Sequence, residues 1–243
     1  MNETSFNFSE LIDEYLRRER HPRRNDVLYP SELGSCLRQV YYTHLIPVGF
    51  PPEKLRMFKS ADLAHAFVRD VLASSNRVKL LDWEKPFSFI VDDFEISGRL
   101  DDLIVVQLEG KEEPVVVEVK SIRGKTVEYI AKPSFPHLMQ MQPYLKAARA
   151  SFGVLWYLAR DTYADRWFSV FFDQKLWNAV IDRSRQIHKC LVERTLPPPE
   201  ARTNKDLGYL CRFCPYWWDC KNNENPPPGG EREQALISEK TET

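Results

Sequence analysis

Two hydrophobic periods divide the chain. Between residues 86 and 121 apolar positions recur every second residue, and on both sides of that stretch they recur every three or four. The first period predicts strands and the second predicts helices. Residues 6–20 read as a short helix with Leu11, Ile12, Tyr15 and Leu16 as its stripe. Ser31 is placed as an N-cap, and Cys36 lies close to the start of the helix that follows, where thiolate character is favoured. Residues 58–74 have helical spacing, with Leu63, Phe67, Val71 and Leu72 as the apolar positions and His65 on the same helix. Residues 86–91 and 94–106 alternate around Asp92-Asp93 as a hairpin, and residues 115–121 form a third strand after a charged, Gly-containing turn at 109–114.

The second half reads in the same way. Leu138, Met141, Leu145 and Ala148 define a helix over 134–150, with Gln140 and Tyr144 one turn apart on one face. Pro143 implies a kink or a helix start nearby, and Gly153 is placed at the end. Strands over 154–159 and 167–172 follow. Asp173 then caps a long helix to about residue 195, with Leu176, Val180, Ile187 and Leu191 inward and Cys190 beside them as a core thiol. Pro197-Pro198-Pro199 stops that helix and carries the chain on stiffly. Residues beyond 222, rich in Pro, Gly and then charge, are expected to be a disordered tail. No internal repeat is visible.

Composition narrows the class. A chain of 243 residues, 43% hydrophobic and 28% charged, is long enough for one sizeable domain with an appended element and too short for a motor domain as well. No apolar run approaches the length of a membrane span, and residues 1–14 are polar and acidic, so a cytoplasmic protein is expected. The net charge of −1 lends no whole-chain support to a nucleic-acid partner. A local cluster, Arg17, Arg18, Arg20, Arg23 and Arg24, reads either as a solvated helix end or as a phosphate-binding arm.

Candidate chemistry concentrates in two places. On the strand Val115-Val116-Val117-Glu118-Val119-Lys120, Glu118 and Lys120 share one face while Val117 and Val119 enter the core on the other. Asp101 ends an earlier alternating run, which brings two acids and one lysine together. Hard divalent ions such as Mg²⁺ take oxygen ligands of this kind. A bound ion and a nearby amine suit phosphodiester hydrolysis, although an isolated Glu/Lys pair is an ordinary surface feature. Gly124-Lys125-Thr126 is not a phosphate loop, because the position five before Gly124 is Val119, in mid-strand. The second place is Cys211-x2-Cys214-x5-Cys220. Under reducing conditions this spacing favours metal over disulfides, with Cys36 available as a fourth ligand. Zinc and an iron–sulfur cluster both use four thiolates, so spacing leaves both open.

The order helix(His65)–strand–strand(Asp101)–strand(Glu118, Lys120)–helix(Gln140, Tyr144)–strand resembles the αβββαβ core of the PD-(D/E)XK nuclease superfamily. The nearer resemblance is to its RecB-like branch with an iron–sulfur cluster, and within that branch to the Cas4 family of CRISPR-associated nucleases. It is carried by Ser31-x-Leu33-x2-Cys36-x-Arg38, His65, Gly98-x2-Asp101, Glu118-Val119-Lys120, Gln140-x3-Tyr144 and the late cysteines. The fold class it implies is α/β, a restriction-endonuclease-like mixed sheet flanked by helices, with an iron–sulfur lobe from the two ends of the chain. The core would occupy about 58–172 and the lobe about 30–45 and 196–222, in a single unit over 1–222 with the tail at 223–243.

The resemblance also implies roles. His65, Asp101, Glu118 and the Val119 carbonyl would ligate Mn²⁺ or Mg²⁺, Lys120 would orient the attacking water, and Gln140 and Tyr144 would face the DNA or support Lys120. Cys36, Cys211, Cys214 and Cys220 would hold a 4Fe-4S cluster. Family members cut single-stranded DNA, often as exonucleases, and work with the Cas1 and Cas2 proteins to trim DNA in CRISPR adaptation, a branch of antiviral defence. Two positions depart from or blur the pattern. Ala61 stands where the family often has Gly, and Asp102 adjoins Asp101 and is expected to point to the opposite face. A stand-alone or viral RecB-like nuclease, and a non-catalytic DNA-binding scaffold, are the competing readings. Tyr41, Tyr42, Trp217 and Trp218 are aromatic candidates for base stacking or for packing around the cluster.

Overall fold

The computed structural model describes residues 7–18, 24–46 and 49–225. Arg20, Arg23 and the tail from 226 onward lie outside the described residues. Chain order is α1 (Phe8–Arg18), β1 (Val27–Leu28), α2 (Pro30–Leu33), α3 (Leu37–Leu45), α4 (Pro52–Ser74), β2 (Lys79–Val91), β3 (Phe94–Leu108), β4 (Lys111–Ile122), α5 (Gly124–Val127), α6 (Phe135–Ala148), β5 (Phe152–Ala159), β6 (Asp165–Phe171), α7 (Gln174–Glu193) and α8 (Trp217–Asn222). Two 3-10 turns, Glu200–Arg202 and Gly208–Phe213, precede α8.

Six strands form one mixed sheet. β2, β3 and β4 are an antiparallel meander. Glu109 and Gly110 alone turn the second hairpin, with φ of 50° and 79°. That is the twist a two-residue connection needs, and residues 111–114 belong to β4 rather than to the turn. α6 then crosses over to put β5 parallel to β4, and β6 closes that edge antiparallel. β3 shares its far edge between two partners: β1 pairs Glu95 and Ile96, and β4 pairs Asp102 to Leu108. β4 parts from β3 after Val117 but keeps β5 as far as Ile122. The two strands therefore splay apart at Asp101 and Glu118.

Each face of the sheet is covered. Ala64, Val68 and Leu72 of α4 pack on Ile104, Val115, Val117, Val119 and Leu158. Met141, Tyr144 and Leu145 of α6 pack on Leu100, Leu103, Val116 and Leu155. α3 and α7 build a further layer, in which Leu37, Tyr41, Tyr42, Val180 and Ile187 enclose Ile96.

Several local expectations shift. α4 begins six residues early, at Pro52 rather than 58, and turns a different stripe inward: Leu63, Phe67 and Val71 are 62%, 41% and 39% exposed, and of the expected positions only Leu72 is buried. Small Ala64 and compact Val68 let the helix lie close over the β4 valines, whereas Phe67 meets Tyr163 with ring centroids 4.6 Å apart and the planes tilted by 49°. Ser31 lies inside α2. The cap is Tyr29, whose N–H donates to Glu32 Oε2 at 2.9 Å, with Pro30 at the first helical position. α6 runs through Pro143 and stops at Arg149, left-handed at φ 54°, rather than at Gly153. Gly153 sits in β5, where a Cβ would come within 2.6 Å of Val116 O and Met141 Cε, so it serves the close approach of α6 to the sheet. Asp173 caps α7 by accepting from the Lys175 and Leu176 amides. Among the described residues, no helix is long and apolar enough to cross a membrane.

Candidate functional site

The splaying of β3 from β4 frees the Val119 amide, which donates to Asp101 Oδ2 at 2.9 Å. His65 Nδ1, from α4, meets the same oxygen at 3.2 Å. On the other side of the opening, Lys120 Nζ reaches Glu118 Oε1 at 2.6 Å and Gln140 Oε1 at 2.8 Å. Gln140 Nε2 in turn donates to Glu118 Oε1 and to the Tyr144 hydroxyl, both at 2.8 Å. The spacings explain the convergence: alternate residues of β4 share a face, and residues four apart on α6 share a stripe. His65 and Asp101 thus face Glu118, Lys120, Gln140 and Tyr144 across the opening between the two strands.

Electrostatics separates the two acids. Burial, and then the charge of Asp101, push the Glu118 carboxyl up to about 8 against the pull of Lys120. Burial acts on Asp101 in the same direction, but the hydrogen bond and charge of His65 and the Val119 N–H hold it below the usual carboxylate range. His65 is raised: burial opposes its charge, and the Asp101 bond outweighs it. Glu118 Oε2 is buried with no hydrogen-bond partner. A buried carboxylate oxygen left bare beside a second acid is costly unless a cation fills the gap. With His65 and the main chain of Val119, the donor set is oxygen-rich with one imidazole, which fits Mg²⁺ or Mn²⁺. Among the described residues no three His, Cys, Asp or Glu side chains close into a metal cage by themselves. An open site that draws on water and substrate for its remaining ligands is the usual arrangement for Mg²⁺.

The same helix attends to Asp101 and its neighbour Asp102. Both reach α4, where His65 takes Asp101 and Arg69, one turn on, stands 3.5 Å from Asp102 Oδ1. Asp102 is completely buried, and burial pushes it up to about 6.

The cysteines gather separately. Cys36 at the start of α3, Cys211 and Cys214 at the end of the second 3-10 turn, and Cys220 in α8 all line one cavity. Burial, and secondarily the neighbouring thiols, raise Cys211, and Cys214 is pushed up to about 11. Four thiols on one lining are a donor set of the kind that thiolate-bound metals use. A zinc ion and an iron–sulfur cluster both take four thiolates, and this donor set fits either group. Arg38 and Arg202 on the wall would offset the anionic charge of such a group. Cys190 is not on the lining and packs beside the α7 core stripe. Tyr41 and Tyr42 are fully buried. They hold the segment that follows α8, Tyr41 through Asn225 Oδ1 and Tyr42 through the Glu224 carbonyl, each at 2.7 Å. Both pack in the α3 and α7 layer, Tyr42 also borders the cavity as Trp217 does, and Trp218 is half exposed.

One group at this lobe carries no sequence signal. Arg183 donates to the carbonyls of Leu33 and Ser35 at 2.6 Å, and to both oxygens of Glu200 at 2.7 and 3.0 Å. Glu200 Oε2 also accepts from the Leu37 amide at 2.9 Å. The backbone is thereby clamped on both sides of Cys36. In the sequence, Arg183 is one of several charges on the polar face of a helix, and nothing local distinguishes it.

The PD-(D/E)XK nuclease superfamily model matches residues 19–221. A solved structure described as "Crystal structure of SSO0001" is similar in fold, with a TM-score of 0.58 and 18% identity, covering 88% of this chain and 96% of that one. No curated protein matches the chain. The family match spans most of the chain and takes in the whole splayed-strand site, and this protein belongs to the PD-(D/E)XK nuclease superfamily.

Proposed function

We propose that the chain is a metal-dependent deoxyribonuclease of the Cas4 type, with a structural 4Fe-4S cluster. The supporting observation is that one early and three late cysteines line a single cavity in a chain whose sheet opens on Asp101, Glu118 and Lys120. His65, Asp101, Glu118 and the Val119 carbonyl would hold Mg²⁺ or Mn²⁺, which when bound polarises the phosphodiester and acidifies water. Lys120 contributes a fixed positive charge where the phosphate gathers negative charge, and its position is held from two sides by Glu118 and Gln140. Tyr144 fixes Gln140 and so indirectly Lys120. Cys36, Cys211, Cys214 and Cys220 would hold the cluster and staple the two ends of the chain over the α3 and α7 layer.

By resemblance to the family, the substrate is single-stranded DNA, degraded from 5′ to 3′, and the task is to trim DNA ends with the Cas1 and Cas2 proteins before integration. The test is cleavage of end-labelled single-stranded DNA by anaerobically purified protein with Mn²⁺, Mg²⁺ or EDTA, with the visible spectrum of the same sample. Metal-dependent shortening by a brown protein is expected. Cleavage that survives both Glu118→Gln and Lys120→Ala would overturn the site, and a colourless protein containing zinc would overturn the cluster.

A further inference from the structure

A charged surface not used by that mechanism adjoins the site. Trp83, on the outer strand β2, is 53% exposed, and the Arg69 guanidinium lies 5.8 Å from its ring centre. Arg69 is one helical turn beyond His65, and Arg99 lies two residues before Asp101 on β3, so both flank the acids. Between the arginines stands Glu84, whose Oε1 takes Arg69 Nη2 at 3.0 Å and whose Oε2 takes Arg99 Nη1 at 3.2 Å. Glu84 adopts φ 46°, a left-handed conformation unusual within a strand, and its neighbours Trp83 and Lys85 pair with Asp102 and Leu100. It is thus held opposite Asp101.

We infer that Trp83, Arg69 and Arg99 form a docking track for a single DNA strand entering the site, and that Glu84 masks this track in the free protein. An indole face accepts any base by stacking, and two arginines spaced by one carboxylate present their donors to backbone phosphate. The mask is weak by design of its exposure. On the Arg99 side the pair is wet, with Glu84 49% and Arg99 66% exposed, and holds little free energy, so an arriving phosphate displaces the carboxylate there, while Arg69, 23% exposed and 3.5 Å from Asp102, is the better-shielded partner. Duplex DNA, with its bases stacked inward, offers Trp83 nothing to bind. The inference, which rests on the nuclease reading, therefore assigns strand preference to this surface.

The test is anisotropy titration of a fluorescent single-stranded oligothymidylate with the full chain in EDTA, so that binding is read without cleavage, alongside metal-dependent cleavage by the unaltered protein. Glu84→Gln is expected to tighten binding at least threefold. Arg99→Gln and Trp83→Ala are expected to weaken it at least fivefold, and Arg99→Gln should lower the slope of log affinity against log salt by about 0.7. Glu84→Gln should no longer tighten binding in the Arg99→Gln background if Arg99 is what it masks. Unchanged affinity in Glu84→Gln and Arg99→Gln, with cleavage by the unaltered protein intact, overturns the track alone. Absence of both DNA binding and cleavage in the unaltered protein overturns the track together with the nuclease reading.

Discussion

Replacing Arg183 by Met should loosen the segment that carries Cys36. The guanidinium makes four short contacts, two to the carbonyls of Leu33 and Ser35 and two to Glu200, and its side chain is only 16% exposed. A hydrogen bond to a charged group contributes about 1.5–3 kcal/mol net, but four that share one guanidinium are not additive. Methionine restores the apolar stem, and Leu37 still donates to Glu200. Two carbonyls without donors and one partly buried carboxylate without its cation put the loss at about 3 kcal/mol. For a domain of this size that corresponds to a fall of roughly 6–12 °C in melting temperature. The assay is circular-dichroism melting, paired with hydrogen exchange of the peptide spanning Cys36. Because the clamp holds Ser35 and Leu37, the Leu37 amide should lose protection while β4 amides keep theirs. Glu200→Gln should be milder, since its amide oxygen still accepts from Leu37. A melting shift under about 2 °C, less than 1 kcal/mol would give, or a large one with unchanged Leu37 exchange, would refute the clamp.

Other outcomes follow from the same contacts. Lys120→Ala should lower the cleavage rate by about 10²–10³-fold, the usual effect of losing one preorganised charge, while DNA affinity in EDTA stays within a few fold. Leu72→Ala should cost about 2–5 kcal/mol and Leu63→Ala less than about 0.5 in denaturant melts, with equal costs disproving the inward face of α4. Desolvation, and secondarily the charge of Lys120, push the half-buried His137 down to about 3 from the usual 6.5. The unfolded chain therefore binds the extra proton first, and stability should fall as pH drops from 6.5 toward 3, by at most about 1.4 kcal/mol per pH unit from this group. In His137→Gln that part of the slope should vanish from melts run across the same range. Cys36→Ser should bleach the protein and lower its melting temperature, whereas Cys190→Ser should leave its colour unchanged; bleaching in both would mean that the wrong four cysteines were chosen.

What could be read without coordinates is what local geometry alone dictates. A strand repeats every two residues and a helix every 3.6. The alternation through Val115, Val117 and Val119 therefore placed Glu118 beside Lys120, four residues placed Gln140 beside Tyr144, and Asp173 announced the start of α7. The cysteine spacing marked three thiols and left the fourth to be sought elsewhere. The α4 stripe failed because hydrophobicity chose Leu63 and Phe67, while the sheet, which needed a close approach, chose Ala64 and Val68. Alternation alone did not foresee that Asp101 and Asp102 would both meet α4, where β3 and β4 part company. Arg183 grips Leu33 across 150 residues of chain, and Arg69 meets Glu84 across a helix-to-strand connection. Contacts of this kind depend on which surfaces the packed core brings face to face, and only the tertiary structure sets that. The sequence by itself determined which polar residues neighbour one another along a strand or helix and so share a face. The packing of α4, α6 and α7 decided which bare oxygen, which masked arginine and which clamped cysteine stand ready to be used.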